Sequence, residues 1–151
     1  MKTIKGDLIK LALNGTFDVI IHGCNCYCTM GAGIAKAIKS IFPEAYDADC
    51  KTEKGSKSKL GSYSSATITK NDHEIIVVNA YTQHHYRGRG VKADYEAIRS
   101  VFKSVKQDFS GKKIGYPKIG AGLAGGDWNI ISVIIDEELV GENHTLVEFS
   151  S

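Results

Sequence analysis

Long apolar runs are absent from this 151-residue sequence. Lys5, Asp7 and Lys10 interrupt the apolar residues of the N-terminal stretch MKTIKGDLIKLALNG, so the stretch fits neither a signal peptide nor a membrane-spanning helix. A large charge of either sign is absent too. The formal net charge is only +2, which is too small for binding nucleic acid or membranes through bulk electrostatics. These absences predict a cytoplasmic protein without a membrane partner.

Recognisable redox and metal motifs are also missing. The four cysteines, Cys24, Cys26, Cys28 and Cys50, include no Cys-x-x-Cys pair. The first three lack the gap of a zinc knuckle. A strand continuing through them would turn all three thiols to one side, which keeps a metal site open as an alternative. The sequence has no carboxylate cluster for a hard cation. We therefore expect reduced thiols, no metal ion and no cofactor.

Repeats, linkers and breaks in composition are absent as well, so residues 1–151 are predicted to form a single domain that buries one core. The run IIVV at residues 75–78 has no polar alternation and predicts a strand covered on both faces. Apolar residues spaced 4, 3, 4, 3 and 4 apart from Val91 to Phe109 predict a helix. The expected fold class is α/β, with three α/β/α layers, a central mixed sheet and helices on both faces.

Periodicity and turn residues predict the other segments. Strands are expected at residues 17–21, 62–69, 74–80, 113–116 and 144–149, with a hairpin turn at 70–73 and an exposed loop at 51–61. Helices are expected from the first Gly-Ala-Gly to residues 42–43, at 45–50 and at 128–139.

Glycine, in contrast, is abundant. The 16 glycines make up about a tenth of the chain, whereas a typical share is ~7%. Many lie in two units in which a strand, a glycine turn and a helix follow one another: VIIHGCNCYCTMGAGIAKAI and IGYPKIGAGLAGGDWNII. Such a unit aims free backbone N–H groups and the positive end of a helix at an anion, and glycine lets the backbone approach a pyrophosphate closely. No Gly-Lys-Ser/Thr of a P-loop is present. Two units predict a diphosphate-bearing ligand; the alternative is that the glycines only form tight turns.

Three segments together resemble the macrodomain, an ADP-ribose-binding module: KGDLIK, IIHGCNCYCTMGAGIAKAIKSIFPEAY and PKIGAGLAGGDW. The resemblance covers nearly the whole chain. The first loop is most similar to small ADP-ribose 1″-phosphate phosphatases, which share the His-x-Cys-Asn-Cys start and a glycine turn. The second loop shares its GxGL…W pattern with macrodomains that remove ADP-ribose from protein or DNA. The resemblance implies ADP-ribose or a derivative as the ligand, with nucleic acid a partner only when ADP-ribosylated, and we expect a monomer.

The resemblance also implies roles for individual residues. Asp7, followed by Leu8, matches the acid that accepts a hydrogen bond from the adenine amino group; a helix N-cap is the alternative. Phe149 is a candidate to flank the adenine ring, or else a core residue. Asn25 matches the residue near the distal ribose. The matches to the two phosphate loops are Gly31, Ala32, Gly33 and Ile34 in the first loop, and Ile119, Gly120, Ala121, Gly122, Leu123 and Ala124 in the second.

Departures from the family narrow the implied chemistry. The stretch NAYTQHHYRG has Gln83 or a neighbour where one branch has a catalytic lysine. His-Gly-Cys-Asn-Cys replaces the Asn-Ala-Ala-Asn of another hydrolase group. The phosphatase reading is favoured, with His22, at a near-neutral pKa, as general acid or base. Asp127 would handle the water or cap a helix. The alternatives are a reader that binds ADP-ribose without turnover, and a hydrolase acting on modified protein or nucleic acid.

The loop YTQHHYRGRG at residues 81–90 follows a predicted strand, where α/β folds bind ligands. Arg87 or Arg89 would suit the extra phosphate of the substrate. Contact with RNA and a solvated loop without function are the alternatives.

Overall fold

The computed structural model describes residues 1–86 and 90–151. Arg87 and Arg89, the predicted contacts for the extra phosphate, lie outside the described residues. The helices and strands are, in chain order, β1 Lys2–Gly6, α1 Leu8–Leu13, β2 Val19–Cys24, α2 Gly33–Ile41, α3 Pro43–Cys50, β3 Tyr63–Lys70, β4 His73–Tyr81, α4 Tyr95–Phe109, β5 Ile114–Tyr116, α5 Trp128–Glu138 and β6 His144–Phe149.

The strands form one mixed sheet in the order β1-β6-β5-β2-β4-β3. Neighbouring strands are parallel except for β3 and β4, which form an antiparallel hairpin. The carboxyl ends of β1, β2, β4, β5 and β6 therefore meet at one edge of the sheet. This is the edge at which open α/β sheets bind ligands.

Helices cover both faces of the sheet, as predicted. Along β2, Val19 and Ile21 pack with residues of α4 and α5, whereas Ile20 packs with residues of α1, α2 and α3. All three side chains are fully buried. The α/β/α arrangement is thus confirmed. Within the described ranges, no helix is long and apolar enough to cross a membrane.

The β3–β4 hairpin and the doubly covered strand are confirmed as well. Asn71 and Asp72 form the turn with φ of 52° and 63°, the left-handed conformation that two-residue hairpin turns require. The four apolar residues at 75–78 are each at most 9% exposed. They lie in β4, between β2 and β3.

Several segments differ from the prediction. Helix α1 was not predicted, and the loop at 51–61, expected to be exposed, is partly buried, with Lys59 only 7% exposed. Helix α4 begins at Tyr95, not Val91, because the Asp94 carboxylate accepts a hydrogen bond from Ala97 N at 2.9 Å and caps the helix there. Val91 is 59% exposed and does not join the apolar stripe. Strand β1 was not predicted, since four of its five residues are exposed and show no buried alternation. Its pairing with β6 is what places it.

The prediction of four reduced thiols is wrong for two of them, because Cys28 and Cys50 form a disulfide. Helix α3 brings Cys50 back to the loop after β2, so the residue that is remote in sequence lies beside Cys28, with 5.5 Å between the Cα atoms. Strand β2 ends at Cys24, so no single strand carries the three alternating cysteines. Cys24 and Cys26 are free and buried.

Candidate functional site

A cleft of about 1260 Å³ lies at the carboxyl edge of the parallel strands. It collects residues from the ends of β1, β2, β4, β5 and β6 and from the loops that follow them. The cleft is lined by all fourteen residues predicted to hold the adenine, the diphosphate and the distal ribose: Asp7, Leu8, Asn25, Gly31, Ala32, Gly33, Ile34, Ile119, Gly120, Ala121, Gly122, Leu123, Ala124 and Phe149.

The first glycine loop runs from β2 into α2 and leaves backbone donors unpaired. Ala32 is the N-cap of α2 and supplies no side-chain hydrogen bond. The bond from Lys36 N to Ala32 O at 3.4 Å is the first of the helix, so the N–H groups of Gly33 and Ile34 have no acceptor within the helix. Both residues line the cleft. The arrangement suits an anion, because the positive end of the helix dipole points the same way.

The second glycine loop joins β5 to α5 and closes on itself. Gly126 N donates to Gly120 O at 2.7 Å, and Gly120 has a φ of 75°, which only glycine adopts without strain. Within the described chain, no hydrogen bond is made by the N–H groups of Gly122, Leu123 and Ala124, which line the cleft. Successive unpaired N–H groups form a concavity that binds anions.

Asp7 and Phe149 stand together at one end of the cleft, because β1 and β6 pair with Gly6 opposite Phe149. The Asp7 carboxylate caps α1 by accepting hydrogen bonds from Ile9 N at 3.0 Å and Lys10 N at 3.2 Å. The two roles weighed for Asp7 are compatible, since the cap also lines the cleft. Phe149 is 79% exposed and is therefore a rim residue, not a core residue.

Asn25 lies at the other end, directly after β2. Its side-chain oxygen accepts a hydrogen bond from Tyr27 N at 2.8 Å, and its amide donates to Thr29 Oγ1 at 2.8 Å. These bonds fix the start of the first glycine loop. Gln83, in the loop that follows β4, also lines the cleft.

His22 differs from its prediction, because the structure places it in the core and not among the residues that line the cleft. Its side chain is fully buried, and Nε2 donates to Asn79 Oδ1 at 2.7 Å. Burial lowers the pKa of His22 to about 4. The hydrogen bond to Asn79 raises this pKa, but its effect is smaller than that of burial. The expected near-neutral pKa is therefore wrong. A buried, uncharged His22 is suited to holding β2 against β4.

The burial of His22 predicts a loss of stability in acid. Because the pKa of His22 is lower in the folded protein than its ordinary value, the unfolded chain binds more protons between pH 6.5 and 4. The stabilisation is complete above pH 6.5 and is lost as the pH falls towards 4. From pH 7 to 4.5 the free energy of unfolding should fall by roughly 2.5 kcal/mol, at 1.36 kcal/mol per pKa unit. Urea denaturation at both pH values measures this.

The matched variant is His22→Gln, whose amide can still donate to Asn79 Oδ1 but does not titrate. Between pH 7 and 4.5 the free energy of unfolding of the variant should fall by roughly 2.5 kcal/mol less than that of the parent. Burial also lowers the pKa of His144, but that contribution is common to both proteins. Equal acid sensitivity of parent and variant would show that His22 does not carry the effect.

Asp127 also lies away from the cleft. It is exposed, and its carboxylate accepts a hydrogen bond from Asn129 N at 2.9 Å, which caps α5. Its own N–H donates to the Tyr95 hydroxyl at 3.0 Å. Asp127 therefore caps a helix, which was the alternative to handling the water. It is not among the residues that line the cleft.

Sequence reasoning missed polar residues that the fold brings to the cleft, notably Asp49 and Lys92. Asp49 is 1% exposed and comes from α3, a helix with no motif to draw attention to it. Lys92 is tied to the second glycine loop, because its N–H donates to Ala124 O at 2.7 Å. No local sequence signal could have found either of them, since both depend on contacts between distant segments.

The cysteines beside the cleft have the character of buried thiols. Burial raises the pKa of both Cys24 and Cys26. They are therefore protonated at neutral pH and are poor nucleophiles. In the part of the chain that the structure describes, no three His, Cys, Asp or Glu side chains are grouped so that they could hold a metal ion.

Comparisons with known proteins agree with this geometry. A family model described as Macro domain matches residues 21–135. An uncharacterized 17.5 kDa protein from the tk–vs intergenic region of Enterobacteria phage T4 is 37% identical over 141 residues, which cover 90% of this chain and 88% of that protein. An ADP-ribose 1″-phosphate phosphatase of Candida albicans is 27% identical over 135 residues, which cover 83% of this chain and 85% of that protein.

A solved structure supports the fold. A Trypanosoma brucei macrodomain in complex with ADP-ribose matches this structure with a TM-score of 0.65 at 15% sequence identity. The match covers 98% of this chain and 63% of that one.

Proposed function

The chain belongs to the macrodomain family, and on that premise we propose that it binds ADP-ribose and hydrolyses ADP-ribose 1″-phosphate to ADP-ribose and phosphate. One observation carries the binding part of the proposal. Two glycine loops line the same cleft with backbone N–H groups that find no acceptor among the described residues, between an aromatic rim at one end and Asn25 at the other. An anionic diphosphate with adenosine at one end and a ribose at the other is the chemistry of this ligand.

The orientation of the ligand follows from the sheet. The aromatic rim lies at β1 and β6, whereas Asn25 follows β2, which neighbours β4. From β1 to β4 the strand order gives four gaps of ~4.8 Å, so the cleft edge spans roughly 19 Å. We place adenine between Asp7 and Phe149, the diphosphate on the two loops, and the distal ribose at Asn25.

Relatives and the first loop together support the phosphatase part. A relative named for this activity spans most of the chain, and the chain carries the His-x-Cys-Asn-Cys start on which its resemblance to such phosphatases rests. His22 and Asp127 would then serve the reaction from outside the cleft, by holding β2 and the start of α5. The residues that contact the substrate are those that line the cleft.

The test is release of inorganic phosphate from ADP-ribose 1″-phosphate, with ribose 5-phosphate as the control substrate. We expect release from the first substrate alone, with ADP-ribose as a competitive inhibitor. ADP-ribose binding without any phosphate release would favour a reader or a hydrolase that removes ADP-ribose from modified protein or nucleic acid. Failure to bind ADP-ribose would refute the whole proposal.

Phe149→Ala should weaken ADP-ribose binding by about 10-fold, because stacking of a base on an aromatic ring contributes about 1–3 kcal/mol. The folded structure should be unaffected, since the side chain is 79% exposed. Calorimetric titration with ADP-ribose measures the affinity, and thermal unfolding measures stability. Val140→Ala is a control, because Val140 is 66% exposed and lies outside the cleft. Unchanged affinity in Phe149→Ala would remove adenine from this rim.

A second candidate function is removal of ADP-ribose from modified protein or nucleic acid. The observation that favours it is the position of Lys92 in the cleft. The fold brings a lysine amine there, although Gln83 or a neighbour stands where one branch of the family has its catalytic lysine. A neutral lysine amine can attack the anomeric carbon as the bond from that carbon to the protein or nucleic acid breaks, and water then releases ADP-ribose from the covalent intermediate. ADP-ribose release from an ADP-ribosylated substrate, lost in Lys92→Met but not in Lys118→Met, would support this candidate. Lys118 is the matched control, because it lines the same cleft.

A further inference from the structure

Asp49 is a buried carboxylate that reaches the cleft. Its residue exposure is 1%, yet it lines the cleft beside Cys24 and Asn25. Neither the glycine loops nor the family motifs include it. A charged side chain so nearly buried needs compensating contacts, because desolvation of an unpaired carboxylate costs several kcal/mol.

A hydrogen bond from β4 holds one oxygen of this carboxylate in place, and a lysine from the turn before β3 lies near it. The Tyr81 hydroxyl donates to Asp49 Oδ1 at 2.6 Å and lies 2.7 Å from Ser64 Oγ. Lys59, itself buried, donates from Nζ to Thr52 Oγ1 at 2.7 Å, and its Nζ lies 4.6 Å from the centre of the Tyr81 ring. The carboxylate therefore has a fixed position and a nearby positive charge.

The second oxygen, Oδ2, faces the cleft. Among the described residues, Oδ2 makes no hydrogen bond and no ion pair. In the same part of the chain, each side-chain oxygen or nitrogen that is fully buried does have a hydrogen-bond partner. Oδ2 is therefore not fully buried, and the cleft is the surface that Asp49 lines. One oxygen is fixed and the other is open to the ligand, as in a carboxylate placed to accept a proton.

Asp49 lies at the end of the cleft that would hold the distal ribose. Tyr81, its hydrogen-bond donor, pairs with Cys24 in the sheet, and Asn25 is the next residue along the chain. Asp7 and Phe149 are at the opposite end, on β1 and β6. In the proposed orientation, the 1″-phosphate of the substrate is therefore the group nearest Asp49.

We propose that Asp49 is the general base of the phosphatase reaction, accepting at Oδ2 a proton from the water that attacks phosphorus. This inference rests on the proposed function. The water oxygen forms a bond to phosphorus as the bond from phosphorus to the 1″-oxygen breaks. The proton taken by Asp49 passes to the departing 1″-oxygen, which becomes the hydroxyl of ADP-ribose. Asp49 returns to its ionised form, and phosphate leaves.

Several groups set the proton affinity of Asp49. Burial raises the pKa of Asp49, while the Tyr81 hydrogen bond and the positive charge of Lys59 lower it. The other titratable groups near it are Cys24 and Cys26, whose pKa values are raised, so both are uncharged at neutral pH. The rate should therefore fall in acid as Asp49 becomes protonated. Lys59 also offsets the repulsion between the carboxylate and the substrate phosphate.

Asp49→Asn tests the proposal, because it preserves shape and removes the base. We expect kcat for phosphate release to fall at least 100-fold, the usual size of a general-base effect, with the ADP-ribose Kd within threefold of the parent. Asp47→Asn is the matched control, since Asp47 is an exposed acid on the same helix and outside the cleft. It should retain parental kcat and Kd.

Tyr81→Phe supplies a second readout that a purely structural role would not give. Removing the hydroxyl removes a contact that lowers the pKa of Asp49, so the acidic limb of the kcat profile should move to higher pH. A kcat in Asp49→Asn within tenfold of the parent, an unmoved limb in Tyr81→Phe, or a joint loss of binding and turnover would overturn the role of Asp49. In each case a parent that releases phosphate keeps the proposed function. A parent that releases none overturns both.

Discussion

Gly126→Ala should reduce ADP-ribose affinity by at least 100-fold. A Cβ at this position would lie 2.5 Å from Gly120 O and 2.9 Å from Ile131 Cδ1, so the second glycine loop would have to move. The movement would break the bond from Gly126 N to Gly120 O that closes the loop. The N–H groups of the three residues at 122–124 would then no longer converge on the diphosphate.

Calorimetry with ADP-ribose measures this loss, and thermal unfolding shows whether the variant is folded. We expect a modest destabilisation of 1–3 kcal/mol from overpacking, which leaves the protein folded. Gly122→Ala is the comparison within the same loop, because no atom of the described residues lies within 4 Å of a Cβ there. Its stability should equal that of the parent. Parental affinity in Gly126→Ala would show that the closed loop is not what holds the ligand.

Reduction of the Cys28–Cys50 disulfide should lower the free energy of unfolding by about 3 kcal/mol. The bond closes a loop with a sequence separation of 22. Cross-linking a loop of this length lowers the conformational entropy of the unfolded chain, which stabilises the folded protein by about 3 kcal/mol. It also ties the first glycine loop to the end of α3, directly after Asp49. Reduction should therefore weaken ADP-ribose binding as well.

Urea denaturation and calorimetry, each with and without a thiol reductant, measure the two effects. Cys50 is exposed, so a reductant can reach the bond. The double variant Cys28→Ser/Cys50→Ser is the control. It should match the reduced parent and should not respond to the reductant. A parent whose stability is the same under both conditions would contradict the account.

Much of the lining of the cleft could be predicted from the sequence, because glycine turns between strands and helices are local signals. The loops around Gly33 and Gly122 are examples. The edge of the sheet then brings them together, since parallel strands align their carboxyl ends. Asp7 and Phe149 were predicted through family resemblance, and their proximity depends on the pairing of β1 with β6.

The surroundings of the residues proposed for catalysis were harder to predict, for a physical reason. Strand β2 is buried on both faces, so its sequence does not show which side chains point to the core. His22 consequently looked like an available acid or base, although it is fully buried against Asn79. Asp49 was missed because its position depends on Tyr81, 32 residues away along the chain. The disulfide between Cys28 and Cys50 depends on a similar long-range approach.

A crystal structure of the protein with ADP-ribose bound would test the central claim most directly. The account predicts adenine between Asp7 and Phe149, the diphosphate on the N–H groups of the two glycine loops, and the distal ribose beside Asn25 with its 1″-hydroxyl towards Asp49. ADP-ribose bound in the reverse direction, or outside this cleft, would contradict the account.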